Sequence, residues 1–216
     1  PVFLDAVLDQ GYWPEGGMTP PDDAALVFDI ESMKALGFNA LRKHVKIESR
    51  RYYWHADRLG MMIVQDAVSG GLNRAHGTLR IAGAMILGLH SGDRSARALS
   101  AAGRSSAENR SGFEAELSGM IRHLQEHPSI VMWCIFNESW GQFESERIAG
   151  TVRALDQTRL VDSVSGRFDQ GGGDFRSRHV YMVRLRKPPR YDPMPYFVWD
   201  SGGYKLFVPE TVGDWS

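Results

Sequence analysis

The run Ile130-Val131-Met132-Trp133-Cys134-Ile135-Phe136, entered through His127-Pro128-Ser129 and left through Asn137-Glu138, constrains the fold of this chain more than any other segment. It is apolar without polar alternation, short, and rich in β-branched and aromatic residues, with a proline just before it. Those features favour a strand over a buried helix, and specifically a strand of a parallel sheet covered on both faces. Such a strand delivers Asn137 and Glu138 to its C-terminal end, where α/β barrels carry their chemistry. A carboxylate in that position is either paired structurally or functional.

The rest of the chain reads as repeats of the same unit. Val2 to Leu8 forms a first strand, and Asp22 or Asp23 then caps a helix with Leu26, Ile30 and Met33 on one face and Gly37 as its stop. Phe38 to His44 is a second strand, followed by a helix through Tyr52, Tyr53 and Trp54 that ends at Gly60. Met61 to Asp66 is a third strand. Phe113, Leu117, Met120, Ile121 and Leu124 recur at helical spacing before the fourth strand. A helix through Ile148, Val152 and Leu155 and a strand from Leu160 to Val164 follow. His179-Val180-Tyr181 and Tyr196 to Asp200 bring the count to seven strands, and no eighth is visible before Ser216. Strands alternating with amphipathic helices signify a parallel sheet, either a barrel or a doubly wound sheet. Residues 70–109 stand apart. They are rich in Gly, Ala, Ser and Arg, and read as a long insertion-like loop or as a helix through Leu79 to Leu89.

With 216 residues the chain can bury one sizeable core, and its net charge of −1 offers no electrostatic footprint for nucleic acid or an acidic membrane. Small neutral ligands suit that balance. No stretch is apolar enough to span a bilayer, and the N-terminus lacks the pattern of a signal peptide. The chain starts almost inside a strand without a Met, so a piece of a longer protein is expected. The single cysteine, Cys134, lies in the apolar strand and reads as a buried thiol. The seven histidines show no metal-ligand spacing, Gly171-Gly172-Gly173 lacks the context of a phosphate loop, and no Gly-x-Ser-x-Gly elbow is present. Neither a metal nor another cofactor is expected.

The strand ends supply Arg42, His44, Asp66, Asn137, Glu138, Ser165, His179, Tyr181 and Asp200, which a barrel gathers onto one face. Tyr12, Trp13, Trp140, Tyr181 and Trp199 are candidate stacking walls for sugar rings, with core packing as the commoner role of such residues. Two carboxylates across a polar, aromatic-walled cleft suit glycoside hydrolysis. In its retaining form one acid protonates the departing oxygen while the other, about 5 to 5.5 Å away, attacks the anomeric carbon. Glu138 fits the first role and Asp200 the second.

The motifs Gly37-Phe38-Asn39-Ala40-Leu41-Arg42-Lys43-His44, Asp57-Arg58-Leu59-Gly60, Gln65-Asp66, His127 to Trp133 and Phe136-Asn137-Glu138-Ser139-Trp140-Gly141-Gln142 together resemble the catalytic barrel of glycoside hydrolase family 2. Thr158 to Asp162, Ser165-Gly166 and Asp169 to Asp174 extend the resemblance, which runs from Phe3 to about Tyr204. It implies a (β/α)8 TIM barrel, incomplete here for lack of a last strand. It further implies net retention, with Glu138 as acid/base and Asn137 against the sugar 2-hydroxyl. Arg42, His44, Asp66 and Tyr181 then have substrate-pocket roles; His179 from its strand end and Trp140 and Trp199 as stacking rings join them as expected substrate-binding residues, the partner is a carbohydrate, and β-sandwich domains are expected upstream. In Trp199-Asp200-Ser201-Gly202-Gly203-Tyr204 an aspartate stands where the family usually has glutamate, so the nucleophile is one methylene short. Glu210 reads as a loop residue rather than a substitute. The expected activity is that of an exo-β-glycosidase of β-galactosidase type. The competing expectation is a carbohydrate-binding barrel fragment with impaired catalysis.

Overall fold

The computed structural model describes residues 3–70, 92–166 and 168–179, and the backbone of residues 196–200. Five strands form one parallel sheet in sequence order: β1 (Ala6–Asp9), β2 (Ala40–Lys43), β3 (Met62–Asp66), β4 (Ile130–Asn137) and β5 (Leu160–Ser165). Helices α1 (Asp23–Ala35), α2 (Arg50–Leu59), α3 (Ala96–Ala101), α4 (Ala107–Leu124) and α5 (Ser145–Leu155) lie between them. Two more strands, β6 (Arg176–His179) and β7 (Tyr196–Asp200), pair in parallel as a second ladder. Seven strands are therefore present among the described residues, as the sequence suggests.

Local chemistry accounts for most boundaries. The Asp22 carboxylate accepts from the Ala25 N–H and opens α1. Gly60, at φ 65°, closes α2 in the left-handed conformation that glycine adopts most cheaply. β1 begins at Ala6, later than the apolar run starting at Val2, because its ladder with β2 starts at the Ala6–Ala40 pair. The segment read as an insertion is structured where it is described. It holds α3 and the first turn of α4, the latter opened by Ser106 accepting from Asn109 N–H. Periodicity missed α3 because that helix has no buried residue. The proposed helix through Leu79 to Leu89 lies outside the described residues.

The sheet is buried on both faces, which explains the unbroken apolar run of β4. One cluster fills the space between sheet and helices, with Ile30, Leu41, Tyr53, Ile63, Trp133 and Phe136 among its members. A smaller one, Val64, Met132, Cys134 and Phe175, sits apart from it. Phe113 of α4 stacks on Phe136 at 5.2 Å and 16°, seating that helix on β4. Trp13 packs partly buried against the larger cluster.

Several motif residues prove to be architectural. Asp57 Oδ2 lies 2.7 Å from His127 Nδ1, and Asp57 Oδ1 accepts from Ser129 N–H at 2.9 Å, tying α2 to the entrance of β4. Arg159 donates to the carbonyls of Ile130 and His127 at 3.2 and 3.0 Å. Trp133 Nε1 donates to Asp156 Oδ2 at 2.9 Å. These bonds gather where β4 and β5 begin, the end of a barrel devoted to stability. The glycine turn is packed too: a Cβ on Gly172, at φ 88°, would stand 2.7 Å from Glu146 Cα of α5.

Candidate active site

At the opposite end of the sheet the strands deliver polar side chains to one point. Arg42 is 3 % exposed and Asp66 is fully buried, and they pair through two hydrogen bonds of 3.0 Å. The same guanidinium donates to Asn137 Oδ1 at 2.8 Å and Ser165 Oγ at 3.0 Å. One cation thus joins the ends of β2, β3, β4 and β5. Burial works against its charge, but Asp66, with Cys134 and Asp162 adding to it, holds Arg42 well above the ordinary guanidinium value. Removing either partner would strand the other charge in the interior, the costly case for a buried pair. Cys134, beneath the cluster, is buried and free. Burial, then the charge of Asp66, pushes its thiol well above the usual range, so it is no nucleophile.

The backbone turns sharply just beyond Asn137. Glu138 and Ser139 both have positive φ, 46° and 69°. Left-handed conformations cost non-glycine residues about 1 to 2 kcal/mol each, and such strain concentrates where a side chain must be aimed. The Asn137 and Glu138 N–H groups are fixed by Ser69 Oγ at 3.1 Å and Ser165 Oγ at 3.2 Å. Glu138 is only half-buried, and its Oε1 stands 2.9 Å from Nδ1 of the His179 ring. One proton serves that contact: either Nδ1–H donates to a carboxylate, or a protonated Glu138 donates to the imidazole. His179 reaches this position because Gly166 leaves room. A Cβ on Gly166, at φ 85°, would overlap the His179 ring. In the second ladder the strand partner of His179 is Asp200, so backbone register sets Asp200 beside the histidine that touches Glu138.

His44 and Trp140 form the rim. Their rings meet edge to face at 6.1 Å, Trp140 is exposed, and the Gln10 amide lies 3.4 Å from His44 Nδ1. Burial, the largest influence, and the Arg42 charge lower the His44 pKa, against the opposing pull of Asp66, Glu138 and Asn137. His44 is therefore neutral at neutral pH. Among the described residues no three His, Cys, Asp or Glu side chains group as a metal site requires.

Arg42, His44, Asp66, Asn137, Glu138, Trp140 and His179 are thus brought together. Tyr181 and the side chains of Trp199 and Asp200 lie outside the described residues. β6 is described over Arg176–His179, and Val180 and Tyr181 of the expected strand lie outside the described residues. Sequence reasoning noted Ser165 as a strand end but not as the hydroxyl that links Arg42, Asn137 and the Glu138 N–H. The Ser-Gly pair closing β5 was the available signal.

A parallel sheet with helices between its strands and polar side chains converging where the strands end is the class of the β/α barrel enzymes. The model of the glycosyl hydrolases family 2 TIM barrel domain matches residues 19–184, and the chain belongs to that family. It is 23 % identical to a beta-galactosidase of Klebsiella pneumoniae over 173 residues, covering 80 % of this chain and 14 % of that relative. Two solved structures share the fold. The beta-D-glucuronidase of Dictyoglomus thermophilum superposes with a TM-score of 0.63 at 17 % identity, over 84 % of this chain and 30 % of that one. For the beta-glucuronidase of Parabacteroides merdae the TM-score is 0.57 at 17 % identity, over 83 % and 20 %. The chain therefore spans a small part of the length of these relatives.

Proposed function

We propose that this barrel hydrolyses β-glycosides by double displacement, with Glu138 as general acid and then general base and Asp200 at the nucleophile position. The observation that carries the reading is the Glu138–His179 contact at 2.9 Å, with Asp200 as the ladder partner of His179. The strained turn and the Ser165 hydroxyl fix Glu138, while its side chain keeps access to solvent. A retaining enzyme needs its carboxyl groups about 5 to 5.5 Å apart; Glu138 follows β4 and Asp200 closes β7 in the second ladder, and His179, which touches the first and pairs with the second, is what relates them.

In the first step Glu138 gives its proton to the departing oxygen as Asp200 attacks the anomeric carbon. In the second, Glu138 takes a proton from water, which displaces the carboxylate. The fixed Asn137 amide contacts the sugar 2-hydroxyl, and Arg42 and Asp66 act by holding Asn137. His44, Trp140 and Trp199 line the approach, and His179 and Tyr181 complete the pocket. Similarity to a beta-galactosidase supports a galactoside as the first substrate to test. The test is release of aryl alcohol from β-galactosides, β-glucuronides, β-mannosides and β-glucosides by the folded chain, with Glu138→Gln as control. Turnover of one glycone, lost in the variant, is expected. Turnover that survives in Glu138→Gln would refute the assignment.

The shorter Asp200 favours a second reading, a barrel that binds sugar but turns it over poorly. Saturable sugar binding without turnover is its signature.

A further inference from the structure

The turn that aims Glu138 is strained well beyond Glu138 itself. Between residues 138 and 144, Glu138, Ser139, Gly141 and Glu144 all have positive φ. Helix α5, which follows, begins without a side-chain cap from its own Glu144. What holds this stretch comes from the segment before α4. Arg104, 4 % exposed, donates from Nε to the Gly141 carbonyl at 3.0 Å and from Nη2 to the Gly70 carbonyl at 2.5 Å. Nη1 donates to Asn109 Oδ1 at 2.8 Å, and the guanidinium lies over Phe113 and Phe143 at 4.7 and 5.6 Å. The fit excludes side chains at Gly141, where a Cβ would stand 2.9 Å from Arg104 Nη2.

Asp93, 6 % exposed, completes the brace. Its Oδ2 accepts from the Ser145 N–H at 2.8 Å, the Ser145 hydroxyl at 2.6 Å and Gln142 Nε2 at 3.1 Å. It therefore supplies, from outside the helix, the cap that α5 lacks, with a carboxylate at the positive end of the helix dipole. Gln142 Nε2 also donates to the Phe168 carbonyl at 3.0 Å, linking the turn to the loop after β5.

We propose that Asp93 and Arg104 are positioning residues for Glu138, bracing the part of its strained turn that runs from Gly141 into α5. The proposal rests on the reading of Glu138 as the acid. A strained conformation persists only where its surroundings over-determine it, and hydrogen bonds to charged groups are the strong ones. A misplaced acid hurts departure of a poor leaving group, which needs the proton, far more than departure of 2,4-dinitrophenolate, which does not.

The test compares the wild-type chain with Asp93→Asn, Arg104→Met and Arg104→Lys by amide hydrogen exchange and by turnover across an aryl leaving-group series. In Asp93→Asn and Arg104→Met, amides from Gly141 to Ser145 should exchange about tenfold faster while those of β2 and α4 are unchanged. Turnover of the poorest leaving group should fall about tenfold more than that of the dinitrophenyl glycoside, with partial recovery in Arg104→Lys. Unchanged exchange, or equal losses across the series, overturns the brace in an active enzyme. Absence of turnover by the wild type overturns the reading of this chain as an active glycosidase, and the positioning role with it, whatever the exchange shows.

Discussion

At the scale of single residues the site depends on side chains that have no freedom to be elsewhere. Gly166 is the sharpest case: its φ of 85° disfavours any side chain, and a Cβ would displace His179 from Glu138. Gly166→Ala is expected to lose at least about tenfold in kcat, because reacting groups misplaced by about 1 Å cost on the order of a hundredfold. Comparison of kcat with Tm in the variant checks that the loss exceeds any effect of unfolding. Asp200→Glu is expected to move the other way, raising turnover by about tenfold or more as the extra methylene restores reach. Steady-state kinetics on the preferred aryl glycoside decides it. His44 supplies the pH dependence. Its folded pKa lies below 6.5, so between the folded and unfolded values the unfolded chain binds more protons. This contribution to stability is present above pH 6.5 and is lost as pH falls through the folded pKa. Imidazole titration by NMR should place the His44 midpoint below that of free histidine, and a midpoint at or above 6.5 contradicts the assignment.

At the scale of elements, the parts with strong local signals were legible in the sequence and the parts built across long separations were not. The helical faces of α1 and α4 follow the spacing of Leu26 with Ile30 and of Phe113 with Leu117, Met120, Ile121 and Leu124. Asp22 and Gly60 act as the caps their residue types suggest. The candidate site was legible as well, because polar residues closing apolar strands must share one end of a parallel sheet. Hidden from sequence were the partners: nothing local tells that Asp57 belongs to His127 and Ser129, or that Asp93 caps a helix beginning at Ser145. The reading of residues 70–109 as an insertion missed α3 because that helix, capped by Ser95, buries no residue and so carries no apolar stripe. The Asp57 clamp carries its own prediction. Asp57→Ala should cost about 2 kcal/mol, the scale of hydrogen bonds to a charged group, and leave KM unchanged. Urea denaturation and kinetics measure the two effects separately.

At the scale of the whole molecule the sheet has two ends with separate duties. The end where strands begin is locked by Asp57 with His127, Trp133 with Asp156, and Arg159 with two carbonyls. The end where strands finish carries the buried Arg42–Asp66 pair, the Asn137–Ser165 link and a carboxylate aimed by a strained turn. The motifs that carry the resemblance fall at both ends, so resemblance alone mixes stability residues with chemical ones, and the geometry separates them. The central claim is that Glu138 is the acid/base of a retaining glycosidase, and chemical rescue tests it most directly. In Glu138→Ala, hydrolysis of a 2,4-dinitrophenyl glycoside should stall at the glycosyl-enzyme, and added azide should restore turnover and release the β-glycosyl azide. Azide without effect on an otherwise active variant, or an α-configured product, would contradict the account.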